Sequence, residues 1–287
     1  MFKYLPGINP KNEGDNIFSP STIALKLATQ SKTNYKSYHY DKKYTKGQHK
    51  VMMICTEESL LTMRNGRKFL TGNHPVEMLL PVLHLQNAGF DIDIFTPNGA
   101  PAKIEKWALP LKDKAVMDIY KSFQPKFDKP GSLSDLVNKG LNDDIPYIAI
   151  FIPGGHGALL GLPGNKQLGQ LIHWANEKNK YILAICHGPA ALLSANLENK
   201  TDSFVFKDYK MAVFPDSLDR ITPLFGYLPG HMPWYFGNKL REQGVQIVNK
   251  SASGACFRDR KLITGDSPKA ANEFGILAAK SLLNEVT

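Results

Sequence analysis

The sequence predicts an α/β fold built on a mostly parallel, doubly wound sheet. Three observations predict it. Short apolar runs alternate with helical patterns along most of the chain. Two of those runs stop abruptly in turns rich in Gly and His, and a stretch rich in Pro, Lys and Asp interrupts the alternation midway.

Taken in order, residues 1–48 are rich in Lys, Asn, Ser and Tyr, are broken by Pro and Gly, and read as an N-terminal arm. The α/β grammar starts with an apolar strand over Val51–Cys55. An amphipathic helix over Pro75–Ala88 follows, then a second strand over Phe90–Phe95. Pro75 suits the first helical position, where its missing N–H costs nothing, whereas Pro81 should kink the helix. Residues 98–144 contain Pro101, Pro110, Pro125 and Pro130 and read as an insertion, helical at Lys114–Ser122, that forms a small second domain or lid. The core therefore comprises 49–97 and 145–287.

In its second part the spacing predicts strands over Tyr147–Ile152, Tyr181–Ile185, Met211–Phe214, Val245–Val248 and Lys261–Thr264. Helices fall over Lys166–Lys178, Pro189–Ala195 and Gly237–Gln243. Ser267 is placed to cap a last helix with Pro268 at its first position, and Ala271, Phe274, Ala278 and Leu282 mark its buried stripe.

At 287 residues, 43% hydrophobic and 21% charged, the composition is globular and excludes a collagen-like, mucin-like or wholly disordered chain. Lys and Arg outnumber Asp and Glu by 35 to 26, but residues 1–50 hold nine lysines and only three acids, so most of the excess sits in the arm. The Tyr-interleaved stretch Lys32–Lys50 reads as a solvated face rather than a nucleic-acid site. Cys55, Cys186 and Cys256 lie far apart with no C-x-x-C, which suggests neither a disulfide framework nor a zinc knuckle. Together with the lack of a signal-like apolar start or a membrane-length apolar run, this predicts a soluble cytoplasmic protein with no membrane partner. Cys55 and Cys256 are expected at buried structural positions.

The chemistry concentrates at two strand ends. In Tyr181-Ile-Leu-Ala-Ile-Cys-His-Gly-Pro189 the strand stops at Cys186 and helical residues begin within three positions. Such an elbow projects the side chain at the carboxyl edge of the sheet, where a following helix N-terminus favours a thiolate. A cysteine that merely ended a buried strand would be inert. The second strand, Tyr147–Ile152, ends in Pro153-Gly-Gly-His-Gly157. The N–H groups of Gly154 and Gly155 are candidates for an oxyanion hole. No Gly-Lys-Ser/Thr follows, which argues against a phosphate loop.

These segments, together with Gly72-Asn-His-Pro-Val-Glu77, Phe214-Pro-Asp216 and Asp259-Arg-Lys-Leu-Ile-Thr-Gly-Asp-Ser-Pro268, resemble the HchA-type heat-shock branch of the DJ/PfpI superfamily from about Asn16 to the C-terminus. The resemblance implies a flavodoxin-like core, a smaller domain formed by the arm and the insertion, and a homodimer. It implies a glutathione-independent glyoxalase that turns methylglyoxal into D-lactate. It also implies a deglycase acting on early glycation adducts of proteins and nucleotides, and a holding chaperone for unfolded clients. On the matching positions Cys186 is the nucleophile, His187 and Asp216 its triad partners, and Glu77 the carboxyl that contacts the thiol. His187 and Glu77 both remain candidates for the main base. His74 and His156 flank the same edge and are expected to line the pocket, with Gly154, Gly155 and the His187 N–H holding the oxyanion.

The branch's two-His-one-carboxylate metal site would fall on Gln86, Phe123 and Asp91 here, and Phe cannot ligate. No metal and no cofactor are therefore expected. Competing readings are a chaperone with an incidental or redox-sensing cysteine, and a cysteine peptidase or amidase.

Overall fold

A computed structural model describes residues 7–198 and 204–286; residues 1–6 of the arm, 199–203 and 287 lie outside the described residues. Seven strands form the central sheet, in the order Cys256–Asp259, Leu262–Gly265, Tyr181–Ile185, Tyr147–Ile152, Lys50–Ile54, Asp91–Thr96, Gly131–Ser132. All neighbours pair in parallel except the first two, which form an antiparallel edge. The two central strands Tyr147–Ile152 and Tyr181–Ile185 are covered on both faces and are apolar almost throughout, whereas Asp91–Thr96 nearer the edge alternates. Every residue of Tyr147–Ile152 and Tyr181–Ile185 is buried accordingly.

On one face the Pro75–Asn87, Lys114–Asp128 and Ala271–Val286 helices build a core around Met53, Leu79, Phe127 and Phe274. On the other, the Lys166–Glu177 and Phe236–Glu242 helices and the 3-10 run Gly188–Glu198 pack around Ile150, Leu171 and Phe236. Ala271, Phe274, Ala278 and Leu282 are all fully buried. This is the α/β architecture that the alternating pattern predicts, with both faces of the sheet dressed by helices.

Several elements differ from expectation for local reasons. Met211–Phe214 and Val245–Val248 do not join the central sheet. Only Lys210–Met211 and Gln246–Ile247 pair, as a separate parallel ribbon. Beyond it the chain bonds to side chains: Ala212 N–H donates to Thr264 Oγ1 (2.9 Å) and Val213 N–H to Asn249 Oδ1 (3.0 Å). The Pro189–Ala195 segment is 3-10 rather than α. Ser267 donates its hydroxyl to Asp266 Oδ1 (2.6 Å) instead of capping, and a 3-10 turn over Pro268–Ala270 leads into the final helix. The insertion helix, capped by Asp113, runs past Pro125 to Asp128. Pro81 sits inside a helix that continues through it.

The arm is packed down rather than free. Lys11–Gly14 and Ile17–Ser19 pair with each other and then with Lys68–Leu70 and Leu60–Thr62 in a four-stranded sheet. Within Lys32–Lys50 the lysines at 32, 36, 42, 43 and 46 stay exposed, but Tyr40 and Tyr44 are buried, Tyr44 stacked on Phe90 at 5.2 Å. Thr33 N–H and Oγ1 both donate to Asp113 Oδ2, tying arm to insertion. Among the described residues no helix is long and apolar enough to cross a membrane.

Candidate active site

Cys186 follows the Tyr181–Ile185 strand with φ at +60°, a left-handed conformation that costs a non-glycine residue about 1–3 kcal/mol. The surrounding backbone holds it there. Its N–H donates to Gly265 O (2.7 Å) and its carbonyl accepts from Phe214 N–H (3.0 Å). The bent backbone turns the side chain off the sheet edge into a cavity of about 490 Å³ that Glu77, His74, Glu105 and Gly155 also line.

His187 meets its neighbour directly: Nδ1 lies 3.2 Å from Cys186 Sγ. Its other nitrogen, Nε2, lies 3.0 Å from Asp219 Oδ2. Asp216, expected as the triad acid, is elsewhere. Its two carboxylate oxygens accept from Gly237 N–H (2.9 Å) and Asn238 N–H (2.8 Å), satisfying the first turn of the Phe236–Glu242 helix. Phe214-Pro-Asp-Ser-Leu-Asp219 contains two acids three residues apart, and the short helix Asp216–Ile221 presents the second to the histidine. Sequence spacing carried no signal to choose between them.

Asp219 also accepts from His156 Nε2 at 3.1 Å through its second oxygen. One carboxylate thus bridges two imidazoles whose rings lie 4.1 Å apart. Burial opposes the charge, but the two histidines hold Asp219 well below the usual carboxylate range. His156 is pushed up by Asp219 against its burial, while burial and the His156 charge push His187 down. Of the two, His156 takes up a proton the more readily and His187 the less, which favours a neutral His187. Because its Nε2–H donates to Asp219, its Nδ1 is left as an acceptor facing the thiol.

Glu77 enters from the first turn of the Pro75–Asn87 helix. The helix dipole favours its anion. Full burial outweighs that and raises its pKa well above the ordinary carboxyl value. It lies beside the Cys186 thiol and the Gly155 N–H, yet neither oxygen has a well-formed hydrogen bond. The Cys186 thiol is likewise raised, by burial first and by the Glu77 charge second, so the two acids resist ionising together.

The glycine turn is dictated by space. A Cβ on Gly154 would stand 2.1 Å from Glu77 Oε2 and 2.7 Å from Cys186 Cβ, so only glycine leaves the gap between thiol and carboxyl open. Gly155, at φ +98°, lies where a Cβ would meet Gly72 O at 2.3 Å. His74 packs beside this turn: its N–H donates to Gly154 O (2.9 Å), its Nδ1 is buried without a partner, and burial lowers its pKa to about 3, keeping it neutral.

Two further groups line the cavity that the sequence pattern did not single out. Glu105, from the insertion, is fully buried, and Tyr227 packs its ring on His156 and Phe69. Their positions depend on long-range packing, so no local motif marks them. Cys55 is buried in the sheet and its thiol is raised by burial; Cys256 is only partly buried.

The positions where the resemblance would put a metal do not fit one. Phe123 is buried in ring contact with Phe127 and has no donor atom, while Gln86 and Asp91 are exposed. His156, His187 and Asp219 hold ligand-type atoms within 4.8 Å of one another, but those atoms are engaged in mutual hydrogen bonds.

A family model described as the DJ-1/PfpI family matches residues 69–214. The protein/nucleic acid deglycase HchA of Pseudomonas aeruginosa (strain LESB58) is 47% identical over 275 residues, which span 96% of this chain and 94% of that one. The protein of the same description from Staphylococcus aureus (strain MSSA476) is 42% identical over 278 residues, with the same coverage of 96% and 94%. Among solved structures, glyoxalase III from Candida albicans superposes with a TM-score of 0.63 at 22% identity, covering 81% of this chain and 98% of that one, a likeness of fold. A nucleophile-type cysteine on a strained strand end, a glycine turn beside it and a relative of near-complete coverage agree: the chain belongs to the DJ-1/PfpI family.

Proposed function

We propose that this protein is a cysteine-dependent, glutathione-independent glyoxalase that converts methylglyoxal to D-lactate, and that the same site deglycates early adducts on proteins and nucleotides. The observation that carries the reading is Cys186. It is strained at φ +60°, faces the His187 Nδ1 at 3.2 Å, and opens beside Glu77 into a cavity with unpartnered buried polar atoms. Deglycase HchA relatives at up to 47% identity support the substrate class.

In this reading Cys186 Sγ adds to the aldehyde carbon as its proton passes to His187 Nδ1. The alkoxide is held by the Gly155 and His187 N–H groups and takes the proton back, giving a neutral hemithioacetal. Glu77 in its ionised form, made strongly basic by its burial, then removes the C1 proton. The C1–H pair becomes the C1=C2 bond and the ketone pair moves onto oxygen. Return of the proton from Glu77 to C2, with the C1 hydroxyl proton passing to the C2 oxygen, yields a lactoyl thioester, and water releases D-lactate and restores the thiol. A hemiaminal on Lys, Arg or guanine enters the same sequence by exchange at C1. His187 is thus the base for sulfur and Glu77 the base for carbon. Asp219, rather than Asp216, orients the imidazole.

The cavity of about 490 Å³ is lined by Leu27 and Thr33 of the arm and Glu105 and Ala108 of the insertion, a volume that favours small dicarbonyls over polypeptide. We take arm and insertion to act together as the smaller domain, in a cytoplasmic homodimer. A holding-chaperone role is favoured by one observation: Leu27, Ile221 and Phe225 expose apolar surface at the cavity mouth, a suitable contact for unfolded clients. D-lactate formation with EDTA present and glutathione absent tests the enzymatic reading. Product from the wild type, lost in Cys186→Ser and Glu77→Gln, supports it, and a wild type without product overturns it. Suppression of aggregation that survives Cys186→Ser assigns the chaperone role to the apolar surface.

A further inference from the structure

The mechanism above leaves one carboxyl of the cavity without a task. Glu105 is delivered by the start of the insertion, where Asn73 N–H donates to Lys103 O (2.7 Å) and Glu105 N–H to Asn73 O (3.1 Å). These bonds fix it against the segment that precedes Glu77. Its side chain is 1% exposed. Oε1 accepts from the Thr71 hydroxyl at 2.7 Å, while Oε2 is buried, lacks any partner and belongs to a cavity-lining residue. A buried carboxyl oxygen with no partner is costly unless a ligand completes it.

The groups facing Glu105 are Thr71, His156, Tyr227 and Glu77. Burial raises Glu105 to about 7, against the His156 charge and the Thr71 hydroxyl, which favour the anion. With Thr71 on Oε1, the proton of the neutral acid resides on Oε2. Below about pH 7 this neutral acid is a hydrogen-bond donor, a role distinct from that of Glu77, whose ionised form acts as a base.

We propose that Glu105 is a second catalytic carboxyl, whose Oε2–H donates to the ketone oxygen adjacent to the carbon attacked by Cys186. The proposal rests on the glyoxalase reading. When Glu77 takes the C1 proton, negative charge develops on that oxygen, and the donor stabilises the enediolate without transferring its own proton. When Glu77 returns the proton to C2 and the C1 hydroxyl passes its proton to the C2 oxygen, the charge leaves and Glu105 ends as it began. The ligand class follows: substrates need an oxygen on the carbon next to the reacting carbonyl, as 2-oxoaldehydes have and simple aldehydes lack.

The test compares kcat and KM for methylglyoxal across pH values on both sides of 7 in the wild type, Glu105→Gln and Glu105→Met. Iodoacetamide alkylation of Cys186 reports whether the pocket is intact. Glu105→Met is expected to lose about 100-fold in kcat, the usual cost of one donor at a developing oxyanion, with alkylation unchanged. Glu105→Gln, whose amide N–H₂ replaces the acid proton, is expected to recover to within about tenfold of wild type. It should also lose the decline in kcat that the wild type shows as pH rises through about 7. Turnover by Glu105→Met within about threefold of wild type, or a Glu105→Gln profile that keeps the alkaline decline, overturns the proposal. A wild type that makes no D-lactate instead overturns the glyoxalase reading itself.

Discussion

The sheet-edge wall of the cavity and the wall that faces it are assembled differently. Cys186, His187 and Gly154 come from the ends of two adjacent central strands, and Glu77 from the helix packed on that sheet. The facing wall draws Leu27 and Thr33 from the arm, Glu105 from the insertion, and Tyr227 from the loop after the Thr222–Phe225 turn. The first wall rests on a close-packed core that tolerates no displacement, which suits groups that must meet within hydrogen-bond reach. The second is held by ties between distant segments, such as Thr33 to Asp113 and Glu105 to Thr71, and is the place where substrate choice can change without disturbing the nucleophile.

The largest expected effects lie on the sheet-edge wall. Cys186→Ser should abolish D-lactate formation, a loss of about 10⁴-fold or more in kcat, because a hydroxyl at this position is a far weaker nucleophile than the thiol. A chiral assay for lactate checks it. Next comes the pair of acids on one short helix. Asp219→Asn should lower kcat by about 10²–10⁴-fold by releasing the His187 tautomer, and should lower Tm as well because buried His156 loses its counter-charge. Asp216→Asn should leave kcat within about threefold and cost about 1 kcal/mol of stability through the weakened first turn of the Phe236–Glu242 helix. The reverse ranking would restore Asp216 as the triad acid.

Glu77→Gln should separate reactivity from turnover. The Glu77 charge helps to raise the thiol pKa, so its removal lowers that pKa and increases the thiolate fraction at neutral pH. Iodoacetamide should then alkylate Cys186 faster while kcat falls by about 10²–10⁴-fold. Slower alkylation would show that Glu77 activates sulfur rather than carbon. The smallest effect belongs to the facing wall. Leu27→Ser at the mouth should change methylglyoxal turnover by less than about twofold while weakening aggregation suppression, measured by light scattering of a heated client.

Much of the sheet-edge wall was legible because its chemistry is local. An apolar run that stops at Cys-His-Gly-Pro, and another that stops at Pro-Gly-Gly-His-Gly, announce strand ends at one edge of a parallel sheet whatever the rest of the chain does. The strands over Tyr147–Ile152 and Tyr181–Ile185 needed only the continuous apolar pattern that two-sided burial demands. The Cys256–Asp259 edge strand was not legible, since its mixed residues carry no period and its place is set by pairing with Leu262–Gly265.

Residue order therefore determined the α/β class, the nucleophile-type cysteine at a strand end, the glycine turn beside it and Glu77 at a helix start. These features depend on periods of two and 3.6 residues and on turn chemistry, all read within a few positions. Only the tertiary structure decided that Asp219 and not Asp216 meets His187, that His156 shares the same carboxylate, and that the insertion brings Glu105 into the cavity. Asp216 and Asp219 differ by less than one helical turn. Which of them is taken by the N–H groups of Gly237 and Asn238, and which reaches the imidazole, depends on how a distant helix docks, and docking is a property of packing rather than of spacing.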